Sequence, residues 1–154
     1  MVFVPVAMAA ALALRAGEPV PPARGFAATP SLRRALGPGT DDEEADFAVL
    51  SAAGVAVLDG LVGSRRLVLA AEVPEGHVSD RGGDLGEVEV RDLGWRQVQA
   101  LFADEESAAA AVRAAASAAA GVAVEAAFDL PAVVELTDTF DLLWYAPEEL
   151  DGLR

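Results

Sequence analysis

The sequence predicts a single α+β domain spanning residues 1–154, with helices packed on a mixed or antiparallel sheet. Arg65–Pro74 is apolar on both faces, as a central strand is, and Asp42–Val62 has helical periodicity. Strands and helices do not alternate regularly. Glu87–Leu93 and Trp95–Ala103 are separated only by Gly94, which predicts a hairpin. A ferredoxin-like variant is one option.

The N-terminal part predicts two strands, Val2–Ala7 and Arg24–Ala28, on either side of an alanine- and leucine-rich helix at Met8–Ala16. A second helix follows in "TPSLRRALG". Thr29 is suited to cap its start and Gly37 to close its end.

The helix predicted for Asp42–Val62 begins after Thr40 or Asp41, either of which can accept hydrogen bonds from free backbone N–H groups. Apolar residues recur along it at steps of three and four, which predicts one buried stripe. Its members are Phe47, Leu50, Gly54, Leu58 and Leu61.

In the second half of the chain, glycine, proline and acidic residues indicate where the predicted elements begin and end. "EGHVSDRGGDLG" predicts a flexible loop, and the alanine-rich run that follows Asp104 predicts a helix capped by this aspartate and ended by Gly121. "LLWYA" predicts a terminal strand, and Pro147 opens a short C-terminal helix.

Composition limits the classes of function. The net charge is −14, with 25 acidic and 11 basic residues, so we expect no nucleic-acid binding. All basic residues are arginine, and lysine, isoleucine and asparagine are absent, which indicates a GC-rich bacterial genome.

Compartment and cofactor chemistry are limited in the same way. Without cysteine there is no disulfide or zinc–thiolate site. Val2–Leu14 lacks the basic start of a signal peptide and is too short to cross a bilayer. We therefore expect a cytoplasmic protein with no cofactor and no membrane partner.

No catalytic constellation stands out. His77, Ser79 and Asp80 share a glycine-rich loop, but closeness in sequence does not make a triad. Four acids at positions 41–44 could bind a hard cation, although helix capping explains them without one. "GPGT" and "RGGDLG" lack the lysine and the spacing of phosphate-binding loops.

The candidate partner-binding residues are Tyr145, Trp144, Glu148 and Glu149. Adjacent residues of a strand point to opposite faces, so one aromatic enters the core and the other is free for a partner. Trp144 shares its side with Phe140 and Leu142, which predicts that Trp144 is buried and Tyr145 faces outward. Glu148 and Glu149 are also explained as the first turn of a helix.

Several blocks of the chain resemble an uncharacterised family of small acidic proteins from GC-rich bacteria, a domain of unknown function. They include "VFVP", "FAATPSLR", "EEADFA", "RRLVLAAEVP", "ADEESAAAAVRAA" and "DLLWYAPEEL". In that family a histidine often precedes the aspartate that matches Asp104, whereas Ala103 stands there in this chain. The resemblance implies one coherent domain and no activity.

The first functional hypothesis is a non-catalytic, cytoplasmic protein-interaction or regulatory module. The alternative is a small-ligand-binding protein or a hydrolytic enzyme whose site is built from dispersed carboxylates and arginines. A deep polar pocket where these groups converge would favour the alternative. A shallow apolar aromatic patch rimmed by acids would favour the interaction module.

Overall fold

Seven antiparallel strands form one sheet at the centre of the computed structural model, which describes all residues from 1 to 154. In chain order the strands are β1 (Val2–Pro5), β2 (Ala23–Phe26), β3 (Leu67–Ala71), β4 (Val78–Asp80), β5 (Glu87–Val90), β6 (Val98–Ala103) and β7 (Leu143–Tyr145). Their spatial order is β4-β5-β2-β1-β3-β6-β7. The sequence-predicted α+β class, with helices packed on the sheet, is confirmed.

Six α-helices accompany the sheet: α1 (Met8–Arg15), α2 (Pro30–Leu36), α3 (Asp42–Ala56), α4 (Ala109–Ala119), α5 (Val124–Ala127) and α6 (Pro131–Thr139). Short 3₁₀ helices occupy Glu75–His77, Trp95–Gln97, Glu106–Ala108 and Pro147–Leu153. None of these helices combines the length and hydrophobicity that a membrane span requires.

Two apolar clusters lie on opposite faces of the sheet. Helices α2–α6 bury one cluster, in which Val49, Val112 and Leu136 pack against strand residues such as Phe26 and Val68. Helix α1 and the C-terminal 3₁₀ helix bury the other. The fold therefore has three layers, and the interior strands need apolar residues on both sides.

Strand β3 shows this requirement most clearly, because all five of its residues are buried between β1 and β6. The central position expected for Arg65–Pro74 is confirmed. Strand β5 is different: Val88 and Val90 are buried, whereas Glu87 and Glu89 are half-buried and paired with Arg24 and Arg81.

The hairpin expected across Gly94 does not form. Strand β5 pairs with β2 and β4, whereas β6 pairs with β3 and β7. The buried residues of β6 lie on both of its faces and require an interior place, while the half-exposed acids of β5 suit the periphery. The 3₁₀ turn at Trp95–Gln97 shortens β6 at its start.

The segment expected to be a flexible loop, 75–86, instead contains a 3₁₀ turn and the edge strand β4, which forms a hairpin with β5. Gly86 closes this hairpin with a φ of +77°. A β-carbon there would collide with the carbonyl oxygen of Ala27, so the close approach of the two backbones requires glycine.

Two of the predicted helix caps are present. The Thr29 side chain accepts from Leu32 N at 3.2 Å, and Asp41 forms a reciprocal capping box with Glu44. The capping explanation for the acids at 41–44 is consistent with this geometry. Asp104 does not cap α4, which begins only at Ala109 after a 3₁₀ turn.

The buried stripe predicted for α3 is wrong in part. Gly54 and Leu58 are buried and Leu50 and Leu61 are half-buried, but Phe47 is 68% exposed. Smaller residues pack against the sheet instead: Val49, Ala52 and Ala53 belong to the apolar cluster on this face. The helix ends at Ala56, so the expected 3.6-residue periodicity does not continue to Val62.

We predict that Leu58→Ala lowers the free energy of unfolding by about 2–5 kcal/mol, because a fully buried leucine leaves a cavity when it is truncated. Phe47→Ala is the matched control from the same segment. Since Phe47 is mostly exposed, its truncation is expected to change stability by less than about 1 kcal/mol. Chemical denaturation of both variants measures the difference, and equal losses would contradict the burial pattern.

Candidate functional site

Trp144 and Tyr145 occupy the edge strand β7, but with the opposite burial to that predicted. Trp144 is 61% exposed, whereas Tyr145 is half-buried and packs against the α1 side of the core. The two aromatics do point to opposite faces, because Trp144 pairs with Phe102 and Tyr145 with Leu101.

The position of β7 explains the reversal. Trp144 lies on the same face as Phe102, which belongs to the side covered by α2–α6. The last helix on that side, α6, ends at Thr139, and the sheet ends at β7. The tryptophan is therefore left uncovered, whereas the C-terminal 3₁₀ helix covers the side of Tyr145 through Leu150 and Leu153.

Glu148 and Glu149 lie in the first turn of the C-terminal 3₁₀ helix and are both exposed. Glu149 Oε2 accepts a hydrogen bond from the backbone N–H of Ala146 at 2.6 Å, so its carboxylate stabilises the helix start. Glu148 forms no ion pair or hydrogen bond within the chain, so of the two glutamates only Glu148 has a carboxylate free for a partner.

The two edges of the sheet differ sharply. Strands β4 and β7 are equally short, but β4 carries Ser79 and Asp80, polar residues of the kind that protect an edge from pairing. Strand β7 carries three apolar or aromatic residues and neither proline nor a charge, and Leu143 beside Trp144 is 41% exposed. Its outer backbone groups have no strand partner.

A groove of about 580 Å³ adjoins β7, between α3 and the segment that connects α6 to β7. We call it the α3–β7 groove. Its lining includes Phe47 and Leu50 from α3, Phe128, and Phe140 and Leu142 from the connecting segment. Exposed Asp138 and Asp141 lie at its rim, and neither is paired with an arginine.

Arg66 and Asp104 meet at the floor of this groove as a buried ion pair. Arg66 Nε and Nη2 donate to the two carboxylate oxygens at 2.9 and 2.7 Å, and the backbone N–H of Arg66 donates at 2.8 Å. The two side chains are only 4% and 0% exposed. The pair joins the start of β3 to the end of β6, and the sequence offered no signal for it.

The contacts of this pair are almost entirely with each other. Each charge is neutralised by the other, and no nucleophile or general base contacts the guanidinium. His77, Ser79 and Asp80 form no mutual hydrogen bond, and His77 Nδ1 is buried without a partner. No group of three or more histidine, cysteine or acidic side chains is placed to hold a metal ion.

An exposed ion pair joins the C-terminal segment to α1. Arg15 Nη2 donates to Asp151 Oδ1 at 2.9 Å. This hydrogen bond raises the pKa of Arg15 and lowers the pKa of Asp151, with the Coulombic attraction acting in the same direction. Together with buried Leu150 and Leu153, the pair holds the end of the chain against the sheet.

We predict that Asp104→Ala destabilises the fold by about 3–5 kcal/mol, because it leaves the Arg66 guanidinium buried without a counter-charge. Glu106→Ala is the control, since Glu106 is 95% exposed and 3.9 Å from Arg65. Removing that surface carboxylate is expected to change stability by at most about 1 kcal/mol. Replacing Arg66 and Asp104 together by apolar residues should cost less than Asp104→Ala alone; a larger cost would contradict the account.

We also predict that the Asp151 carboxyl titrates below the ordinary aspartate pKa of about 3.9. A lowered pKa in the folded state means that the pair stabilises the fold above the ordinary pKa. This stabilisation is lost as the pH falls through the lowered value. Carboxyl carbon NMR measures the pKa, and Arg15→Ala should raise it toward the ordinary range, while the nearby Arg154 still lowers it. An unchanged value in that variant would show that Arg15 is not the cause.

Comparison with known proteins gives one family. No curated protein and no solved structure matches the chain. A model of a family of unknown function (DUF6912) matches residues 1–153, which is nearly the whole chain. The protein whose sheet ends in the exposed strand β7 therefore belongs to this family of unknown function, DUF6912.

Proposed function

We propose that this protein is a non-catalytic module that binds another protein through the exposed edge strand β7. The observation that carries the proposal is the 61% exposure of Trp144 on an edge strand without protecting residues. Tryptophan is enriched at interfaces, and an open edge offers a row of backbone hydrogen-bonding groups to an added strand.

The charge of the molecule favours a basic segment as the partner. The net charge is −14, and Glu148, Asp141 and Asp138 are exposed in or near the segment that contains β7. A second copy of the chain would bring the same negative charge to the interface and be repelled. An extended segment that alternates basic and apolar side chains would pair with the backbone of β7, contact its apolar side chains and neutralise the nearby acids.

The competing ligand-binding or hydrolytic function has less support. An arginine and a carboxylate do converge in the α3–β7 groove, but they neutralise each other, and the walls of the groove are largely apolar. Apolar walls with acids at the rim suit a protein segment better than a polar substrate.

The same proposal includes a cytoplasmic location in a bacterium with a GC-rich genome. The lack of cysteine is compatible with a reducing compartment, and the all-arginine basic complement supports the genomic origin. No cofactor is proposed.

A display experiment tests the proposed function. Random peptides of about 12 residues, selected against the wild-type protein, should converge on extended sequences that alternate basic and apolar residues. Trp144→Ala should weaken their binding by about tenfold or more, since truncation of a tryptophan that anchors an interface commonly costs about 2 kcal/mol or more. Val62→Ala, which truncates a residue that is 89% exposed and remote from β7 in the sequence, should have no effect.

Thermal unfolding of the same variants separates binding from folding. Trp144→Ala should melt like the wild type, whereas Tyr145→Ala should melt lower because Tyr145 packs against the core. The proposal fails if selected peptides bind Trp144→Ala as well as the wild type. It also fails if the wild type forms a dimer that Trp144→Ala dissociates, because the edge would then serve a second copy.

A further inference from the structure

Gly54 leaves a notch in the wall of the α3–β7 groove. It is the only glycine of α3, and glycine in a helix interior costs about 1 kcal/mol relative to alanine. A β-carbon at this position would lie 3.0 Å from Leu142 Cδ1 and 3.5 Å from Arg66 Nη1. Leu142 therefore packs closely against the backbone of α3 at Gly54, and the missing side chain leaves Nη1 of Arg66 uncovered on that side.

The Arg66 guanidinium has one nitrogen without a partner. Nε and Nη2 donate to Asp104, and Nη2 also lies 3.5 Å from the carbonyl oxygen of Phe140. Nη1 makes no hydrogen bond within the chain, although the Arg66 side chain is only 4% exposed. The nitrogen atom itself is not sealed from solvent, because His77 Nδ1 is the one buried side-chain nitrogen or oxygen atom without a partner. Nη1 is therefore a donor that an acceptor in the groove can reach beside Gly54.

The surroundings of Nη1 select the kind of acceptor. The positive charge of Arg66 is already neutralised by Asp104, and Asp138 and Asp141 at the rim repel anions. A carboxylate or phosphate is therefore disfavoured, whereas a neutral carbonyl oxygen would complete the hydrogen bonding of Nη1. Phe47 and Leu142 offer apolar surface for a side chain next to that carbonyl.

We propose that the α3–β7 groove is a peptide-binding site for the basic partner segment. A carbonyl oxygen of this segment accepts a hydrogen bond from Arg66 Nη1 at the Gly54 notch. An adjacent apolar side chain packs against Phe47 and Leu142, and an arginine or lysine faces Asp138 and Asp141. This site rests on the proposed function, because it supplies the partner chemistry for a segment that continues from β7 into the groove.

Three small probes test the site directly. They are acetyl-leucyl-arginine amide, acetyl-leucyl-glutamine amide and acetyl-leucyl-glutamate amide, which share carbonyls and an apolar side chain and differ in charge. Each is titrated into ¹⁵N-labelled protein while the Gly54 backbone amide and the Arg66 Nε–H are followed by NMR. The arginine probe should bind with a Kd on the order of 1 mM, as suits a fragment, with the glutamine probe weaker and the glutamate probe weakest.

Substitutions in the notch and at the rim separate the parts of the site. Gly54→Ala fills the notch and should weaken the arginine probe about tenfold, the loss of one hydrogen bond to a charged donor. Gly76→Ala is the matched control, since a β-carbon there meets no atom within 4 Å. Should Gly54→Ala disturb folding, Phe47→Ala provides a second test, because it removes an exposed wall of the groove without touching the core.

The acids have their own control. The double substitution Asp138→Asn and Asp141→Asn should reduce binding of the arginine probe to the level of the glutamine probe. Glu18→Gln and Glu125→Gln change the net charge equally at exposed positions outside the groove and should leave that difference intact.

The groove and the edge strand can fail separately. If no probe shifts the Gly54 and Arg66 signals, or if the glutamate probe binds most tightly, the groove is not this site. Trp144 does not line the groove, so Trp144→Ala should leave the dipeptide affinities unchanged. Dipeptide binding at the notch together with failure of Trp144-dependent selection would overturn the edge-strand function while the groove site stands.

Discussion

Burial of the central strands on both faces is the constraint from which the rest of this structure follows. Strand β3 has no exposed residue, and its neighbours β1 and β6 are buried over most of their length. Such a sheet needs an apolar layer on each side. Five helices form one layer, while α1 and the C-terminal 3₁₀ helix form the other, so Leu150 and Leu153 near the end of the chain belong to the core.

The buried Arg66–Asp104 pair lies at the end of the strands that are buried on both faces. It joins residues just outside β3 and β6, where the apolar sandwich gives way to the groove. The Asp104 carboxylate accepts three hydrogen bonds from Arg66, whereas Nη1 of Arg66 donates none and lies beside Gly54. A structural ion pair thereby also provides a donor at the floor of the groove.

The two edge strands of the sheet differ in their capacity to bind a further strand. Polar β4 is suited to remain an edge, whereas β7, of the same length, is apolar and presents Leu143 and Trp144 without protecting charges. The α3–β7 groove adjoins only the second edge. Open backbone groups, exposed aromatics and unpaired acids therefore occur together at one end, which supports protein binding there.

The sequence alone determined the secondary structure where capping residues or continuous apolar runs occur. Thr29 and Asp41 identified helix starts, and the continuous apolar run at 67–71 identified the central strand, because capping and two-sided burial act over a few residues. The terminal strand at Leu143–Tyr145 was also predictable, as was the alternation that places Trp144 and Tyr145 on opposite faces. Family membership over residues 1–153 agrees with the resemblance of several sequence blocks.

Tertiary structure decided which of those faces is covered. Phe47 and Trp144 occupy positions that periodicity assigns to the core, yet both are exposed because no neighbouring element covers them. Asp104 precedes a helix as a capping residue would, but its carboxylate pairs with Arg66, which is 38 positions away. Strands β5 and β6 pair with different neighbours because β6 is buried on both faces and β5 on only one. Periodicity reports only which side chains share a face; whether that face meets a helix, a groove or solvent depends on contacts between residues distant in the chain.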